Sequence, residues 1–375
     1  MAVAQGDHRR ARVAVGLAPP VEQWFAKAAR DLPWRRVRTA YGTLVSEAMC
    51  QQTQVARAAP AWTAFMRAFP TIQALAEASE GSVLEAWRGL GYYRRARSLH
   101  AAAAEICELH GGMVPSKREA LLALPGIGPY CAGAIGSIAF GKREPIVDGN
   151  VARVLMRVHG RNVDGASPAG SKWLWARAKE YVDGAKGPGI ANEGLMELGA
   201  TICTPVGAAC ARCPLRKVCV ATKQGSQDRI PLPRKRAVRQ VLHTHVIVAR
   251  VAGHTALVRR GEQGLWAGML FPPTVESPRA ISKRAVALKF GVAQSELGGG
   301  AAFEFMTSHR AVRFRVWCAS DSASRLLKKS QGSEWTWHSK AAVARASLSS
   351  AMCKVFESAK TAARARRGRV VLKAQ

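Results

Sequence analysis

From about residue 20 to 222, apolar side chains recur at spacings of three and four, the period of helices with one buried face. The clearest stretches are 44–55, 62–69, 83–88, 97–109, 119–124, 131–139, 150–158 and 171–182. Short breaks such as Gly89-Leu90-Gly91 and Leu124-Pro125-Gly126 separate them, as helix connections require. No alternating strand pattern interrupts the series. At 223–240 the chain turns basic and carries Pro231 and Pro233, which disfavour a helix and predict a linker able to touch phosphates. From 241 the period switches to two. Val241–Val251 alternates, Gly253 marks a hairpin, and Thr255–Arg260 follows. A helix is predicted over Pro278–Phe290, and strands over Ala302–Met306 and Ala311–Cys318. The organisation expected is a mainly α domain (20–222), the linker, and an α+β domain (241–356). A basic N-terminal arm (1–19) and a basic tail (357–375), both without fixed structure, flank them. No internal repeat is found.

Charge changes the picture next. Of 375 residues, 56 are Lys or Arg and 25 are Asp or Glu, a net charge of +31. Such a field attracts polyanions, and counterion release makes nucleic acid the natural partner. No apolar run is long enough to span a membrane, and nothing resembles a lipidation signal, an amphipathic anchor or a dimer seam. A monomer is expected, cytoplasmic and nucleoid-associated if the chain is bacterial.

Five of nine cysteines are scattered through apolar or helical stretches, as buried thiols are. The other four, Cys203, Cys210, Cys213 and Cys219, have the spacing C-x6-C-x2-C-x5-C. Four thiolates in so short a loop can close around one metal centre in a reducing compartment. Zinc competes, but its usual signature has two CxxC knuckles and only one is present. A 4Fe-4S cluster is the better reading, with Arg212, Arg216 and Lys217 on the same loop placed to meet phosphates.

Leu124-Pro-Gly-Ile-Gly-Pro-Tyr130 closes one helix and opens another. Gly126 and Gly128 in a tight turn can offer backbone N–H groups to a phosphate, although a plain helix connection reads the same way. Asp148, eighteen residues after Tyr130, precedes a helix and by itself reads equally well as an N-cap. Glu47 lies among Leu44, Val45, Ala48 and Met49. Burial there would raise its pKa and suit it to donate a proton; the neighbouring Gln51, Gln52 and Gln54 leave a solvated helix face as the alternative.

Together, the hairpin, Val147-Asp148-Gly149-Asn150-Val151 and the four-cysteine loop resemble the helix–hairpin–helix superfamily of DNA glycosylases with iron–sulfur clusters. Leu32–Arg35, Ser46–Val55, Gly89–Arg97 and Asn192–Cys203 are similar to its A/G-mismatch adenine glycosylase (MutY) branch, and the similarity covers 20–225 almost without gaps. The resemblance implies that Asp148 faces the flipped nucleotide and stabilises the oxocarbenium-like sugar. It implies that Glu47 protonates adenine at N7, with Tyr130 and Asn150 supporting the two carboxylates. Arg30, Trp34 and Glu193 would line the adenine pocket. Gln52, Leu90 and Tyr92 would enter the duplex near the opposite base, with Arg35 and Thr53 close by. Leu90 and Tyr92 could equally be core residues. Cys50 stands where the family commonly has Leu.

The resemblance also implies a Nudix-like second domain that recognises 8-oxoguanine. Gly264–Pro272 matches its Gly-Leu…Phe-Pro segment, but the helix at 278–292 has no Glu, so no pyrophosphatase activity is expected. The family's lesion-reading Phe-Ser-His is Thr307-Ser308-His309 here, without the aromatic; a polar turn is the alternative reading. The function implied is a monofunctional glycosylase acting on duplex DNA with A·8-oxoguanine or A·G mispairs. An endonuclease-III-like lyase for oxidised pyrimidines is the alternative. Its Schiff-base Lys is replaced by Tyr130, and the nearest Lys, Lys142, is twelve residues on. A DNA-binding scaffold or redox sensor that keeps the cluster without chemistry is a third, disfavoured by Glu47 and Asp148.

Overall fold

The computed structural model describes residues 16–232, 239–261, 263–307, 309–330, 335–346 and 348–371. Two compact units are present: residues 1–78 with 94–235, and residues 79–93 with 236–375.

The described part of the first unit is helical. In chain order it holds α1 (Ala18–Ala28), α2 (Pro33–Arg36), α3 (Ala40–Cys50), α4 (Val55–Ala68) and α5 (Ile72–Ala76). Helix α6 (Glu80–Ala86) belongs to the other unit. The first unit resumes with α7 (Arg94–His110), α8 (Arg118–Ala123), α9 (Pro129–Ala134), α10 (Gly149–Val158), α11 (Pro168–Asp183), α12 (Pro188–Thr201) and α13 (Val220–Gln224). Local chemistry sets the starts. Thr39 caps α3 by accepting the Gly42 N–H, and Asp148 caps α10 through Val151. Ser167 caps α11 with Pro168 at its first position, where a missing N–H costs nothing. Val151, Val154, Leu155 and Val158 bury one face of α10 against Leu195 and Leu198 of α12 and Val21 of α1.

Two expectations are corrected here. The helix predicted over 44–55 stops at Cys50, because Gln51-Gln52-Thr53-Gln54 offers nothing apolar to bury and Gln52 turns left-handed at φ 55°. The N-terminal arm ends earlier than residue 19: Leu17 and Ala18 are buried and start α1. Residues 1–15 lie outside the described residues.

The second unit has two sheets. One has the order β5-β1-β7-β6, built from β1 (Gln240–Val248), β5 (Thr274–Ser277), β6 (Leu297–Met306) and β7 (Arg310–Ala319). Strands β1 and β7 run parallel with Gln240 opposite Arg310, and the other pairs are antiparallel. The second joins β2 (Arg250–Val251), β3 (His254–Arg259) and β4 (Leu270–Phe271), with β8 (Trp335–Ser339) also on β3. Period-two alternation sends Val246 and Val248 to one core and Ile247 to the other. Helix α14 (Lys283–Lys289) starts later than predicted, because the Ser282 side chain accepts the Ala285 N–H and caps it there. Helices α15 (Asp321–Ser330) and α16 (Lys340–Arg345) follow. The predicted free tail is instead helical: α17 (Ser350–Val371) buries Met352, Val355, Phe356 and Ala359 against the first sheet. The apolar spacing at 351–359, not the basic residues after it, decides that helix. Of the predicted linker, 223–232 belongs to the helical unit and 233–238 lies outside the described residues.

Candidate active site and cysteine loop

Glu47 sits one turn from the end of α3, and its residue is 9% exposed. Burial is the main force on its carboxyl, and the charges of Asp148 and Glu193 add to it, pushing it up to about 7 against a hydrogen bond from Tyr130. The solvated helix face that the neighbouring glutamines allowed is not what forms. Tyr130 follows the hairpin on α9; its hydroxyl reaches Glu47 and also Met196 Sδ at 3.0 Å. Burial likewise holds the Cys50 and Cys131 thiols at about 12, with the Glu47 charge contributing. Both are therefore protonated and unreactive as nucleophiles.

Asp148 is half-buried. Its Oδ1 accepts the Val151 N–H at 2.7 Å and its Oδ2 accepts Asn150 Nδ2 at 3.0 Å. Burial raises its pKa and these bonds hold it down. The N-cap forms, and the charge of the same carboxyl reaches Glu47. Asn150 is fixed in turn by Arg153, whose Nη2 reaches Asn150 Oδ1 at 2.8 Å and Gly199 O at 2.8 Å. Gly199 allows this approach, since a Cβ there would stand 2.6 Å from Asn150 Cβ.

A second cluster joins α12 to the α1–α3 connection. Arg35 donates to Glu193 Oε1 at 3.1 Å and to Glu197 Oε2 at 3.0 Å. Arg38 holds Glu193 Oε2 at 2.5 Å, and Arg30 clamps Glu197 through Nε and Nη2 at 2.6 and 2.9 Å. Trp34 stacks edge-on with Trp62 at 6.2 Å. Arg30, Arg35 and Glu193 are thus brought together, and the Glu193 charge reaches Glu47. Sequence reasoning missed Glu197, Arg38 and Met196; two glutamates at i,i+4 in an otherwise apolar helix were the signal available.

The expected duplex-facing residues divide. Gln52 is exposed, and Thr53 Oγ1 accepts from Arg95, which also donates to the Ala48 and Met49 carbonyls and so finishes α3. Tyr92 is 46% exposed at φ 48°. Leu90 is 4% exposed, packed in this conformation as a core leucine would be. At the hairpin, Gly126 has φ 76° and a Cβ there would meet Ser98 Cβ at 2.5 Å, whereas a Cβ on Gly128 would meet nothing within 4 Å. His309 is exposed at the β6–β7 turn, where Thr307 bonds Arg310. Ser308 lies outside the described residues.

Cys203, Cys210, Cys213 and Cys219 line one cavity with Arg157, Leu215, Thr222 and Gln227. Among the described residues no three metal-binding side chains are gathered to hold a single ion; the thiols ring a space instead. Buried Arg157 sews the loop, donating to Cys203 Sγ at 3.3 Å, Thr204 O at 2.7 Å and Ile230 O at 2.7 Å. The Gln227 side-chain oxygen, buried at this cavity, finds no partner among the described residues. The donor that fits an electron-rich guest at this cavity is Arg157, whose Nη1 already reaches Cys203 Sγ. Arg212, Arg216 and Lys217 are exposed on the same loop.

Residues 45–170 match the family model of the HhH-GPD superfamily base excision DNA repair proteins. The chain is 46% identical over 216 residues to an adenine DNA glycosylase of Homo sapiens, covering 55% of this chain and 39% of that protein. It is 35% identical over 248 residues to one from Buchnera aphidicola subsp. Acyrthosiphon pisum, covering 66% of this chain and 70% of that protein. It thus spans about two fifths of the human relative and over two thirds of the bacterial one. A thermostable thymine-DNA glycosylase superposes with a TM-score of 0.52 at 28% identity, covering 58% of this chain and 99% of that one. The helical unit therefore has the HhH-GPD glycosylase fold, and the chain belongs to the adenine DNA glycosylase family.

Proposed function

We propose that this chain is a monofunctional adenine DNA glycosylase. It flips adenine mispaired with 8-oxoguanine or guanine out of duplex DNA and hydrolyses its N-glycosidic bond, leaving free adenine and an abasic site. The observation that carries the reading is the Glu47 carboxyl, buried and pushed up to about 7, beside Tyr130 and Asp148. A carboxyl at that value holds its proton near neutrality and yields it readily. Glu47 gives that proton to adenine N7, so the C1′–N9 bond breaks with its electrons leaving on a neutral base. Asp148, whose carboxylate accepts the Val151 N–H and the Asn150 amide, faces the cationic sugar. Water then adds at C1′ and returns a proton to Glu47.

Hydrolysis rather than lyase chemistry follows from the amines at hand. Tyr130 stands where a Schiff-base Lys would be needed, and Lys142 Nζ is committed to Ser116 O at 2.5 Å. Cys203, Cys210, Cys213 and Cys219 would hold a 4Fe-4S cluster, with Arg157 donating to Cys203 and Gln227 at the same cavity. Such a cluster would staple the basic loop that carries Arg212, Arg216 and Lys217. The +31 charge draws the chain to duplex DNA, and the α+β unit is read as Nudix-like, offering His309 to the opposite base.

Single-turnover assay on an A·8-oxoguanine duplex tests this. Wild type should release adenine, Glu47→Gln should not, and both should bind the duplex. A high-yield covalent adduct on borohydride treatment would favour the lyase reading instead.

A further inference from the structure

Glu197 takes no part in the steps above, yet it is one of the best-buried charged groups in the chain, at 1% exposure. It occupies the apolar α12, where a leucine would pack without the several kcal/mol of desolvation that a buried carboxylate costs. Its two oxygens are fully engaged. Arg30 supplies Nε at 2.6 Å, Nη2 at 2.9 Å and its own backbone N–H at 3.3 Å; Arg35 supplies Nη2 at 3.0 Å. Arg35 is then shared, reaching with Nε to Glu193, one turn earlier on the same helix face. Two carboxylates at that spacing repel, and the guanidinium between them decides which is better neutralised. Glu193 is the one whose charge reaches Glu47.

We propose that Glu197 is a positioning residue for adenine excision: it anchors Arg30 and Arg35 and so fixes how Glu193 is held and neutralised beside Glu47. The inference rests on the reading of Glu47 as the general acid. Facing Glu47 are Tyr130 and Cys131 from α9, Asp148, Glu193 from α12 and Cys50 from its own helix. Arg95 from α7 is committed to the Ala48 and Met49 carbonyls, and α4 turns Ala58, Trp62 and Phe65 inward while its Arg57 and Arg67 are exposed. Of the charged groups in contact with Glu193, Arg35 is the one that Glu197 also holds.

Two substitutions then act in opposite directions. Glu197→Gln leaves Glu193 as the one carboxylate paired with Arg35; the Glu193 charge then presses less on Glu47, so Glu47 loses its proton at lower pH. Arg30→Gln leaves Glu197 with Arg35 alone and draws that guanidinium off Glu193, so Glu47 keeps its proton to higher pH. The experiment is single-turnover adenine release by the full chain across pH, with duplex affinity measured on an uncleavable adenine nucleoside. The alkaline limb of the rate should move acidward in Glu197→Gln and alkaline in Arg30→Gln, each by about half a unit, which is about threefold in rate above the limb. Affinity in Glu197→Gln should be unchanged. A buried ion pair serving only stability would lower the rate uniformly or not at all. Limbs that coincide with wild type in both variants overturn the proposal. If Glu197→Gln does not fold, Arg30→Gln, at a side chain 40% exposed, decides by itself: a limb moved alkaline supports the proposal and an unmoved one overturns it. A wild-type chain that leaves adenine in place overturns the proposed function, and this inference with it; a working wild type with unmoved limbs overturns only the inference.

Discussion

Replacing Glu47 by Gln should abolish excision and, at alkaline pH, make the protein more stable. The folded chain raises this carboxyl from 4.5 to about 7. At about 1.4 kcal/mol per unit, that gap costs the wild-type fold about 3 kcal/mol once pH exceeds both values. The sign is fixed by linkage. A raised folded-state pKa means the native state binds the proton more tightly than the unfolded chain. Wild type is therefore at full stability below about 4.5 and loses it as pH rises through about 7. Gln has the same shape and no proton to lose. Relative to wild type, Glu47→Gln should gain about 2 kcal/mol between about pH 5.5 and about pH 8.5. Urea unfolding followed by tryptophan fluorescence across this range measures the difference, and the same preparations measure adenine release. A stability difference that stays flat with pH would mean Glu47 ionises as an ordinary surface carboxylate, and the proton-donor argument fails.

Other perturbations have defined outcomes. Gly199→Ala puts a Cβ 2.6 Å from Asn150 Cβ, and should cost about 1–3 kcal/mol; displacing Asn150 from Asp148 should also slow single-turnover excision without weakening duplex binding. Gly126→Ala meets Ser98 at a left-handed backbone, costing at least about 1 kcal/mol; duplex affinity should drop, and an unchanged binding isotherm would remove the hairpin from the interface. Arg157→Ala leaves the Thr204 and Ile230 carbonyls without their donor and should cost about 3 kcal/mol in all. The purified variant should carry less iron per chain and expose faster-reacting thiols; wild-type iron content and thiol rates would speak against the cluster assignment.

How much of this could be read from sequence depended on whether the signal was local. The helical period, the Asp148 cap and the four-cysteine spacing are local, and each appears where it was expected. Glu47 is intermediate: its apolar neighbours foretold a raised pKa, but its burial comes from α9 and α12, far away in sequence. Leu90 reads as a wedge only by analogy, and its burial is set by tertiary packing. The two-residue strands β2 and β4 have no period to detect, being defined by their partner β3. Helix α17 was hidden because its basic end outweighed an apolar stripe that becomes decisive only against a sheet built earlier in the chain. The Arg35 bridge could not be foreseen either, since its two carboxylates lie more than 150 residues beyond it.

Residues 79–93 carry one more consequence. This short excursion lies between α5 and α7 in sequence but clusters with residues 236–375, where Arg88 Nη2 reaches the Ala346 carbonyl at 3.4 Å. Neither unit is therefore a continuous stretch of gene. Cutting after residue 232 would strand Trp87 and Tyr93 from the body they cluster with, and nascent chain leaving the ribosome must hold that excursion unsatisfied until synthesis nears its end. A fragment designed on domain boundaries read linearly would leave both units incomplete.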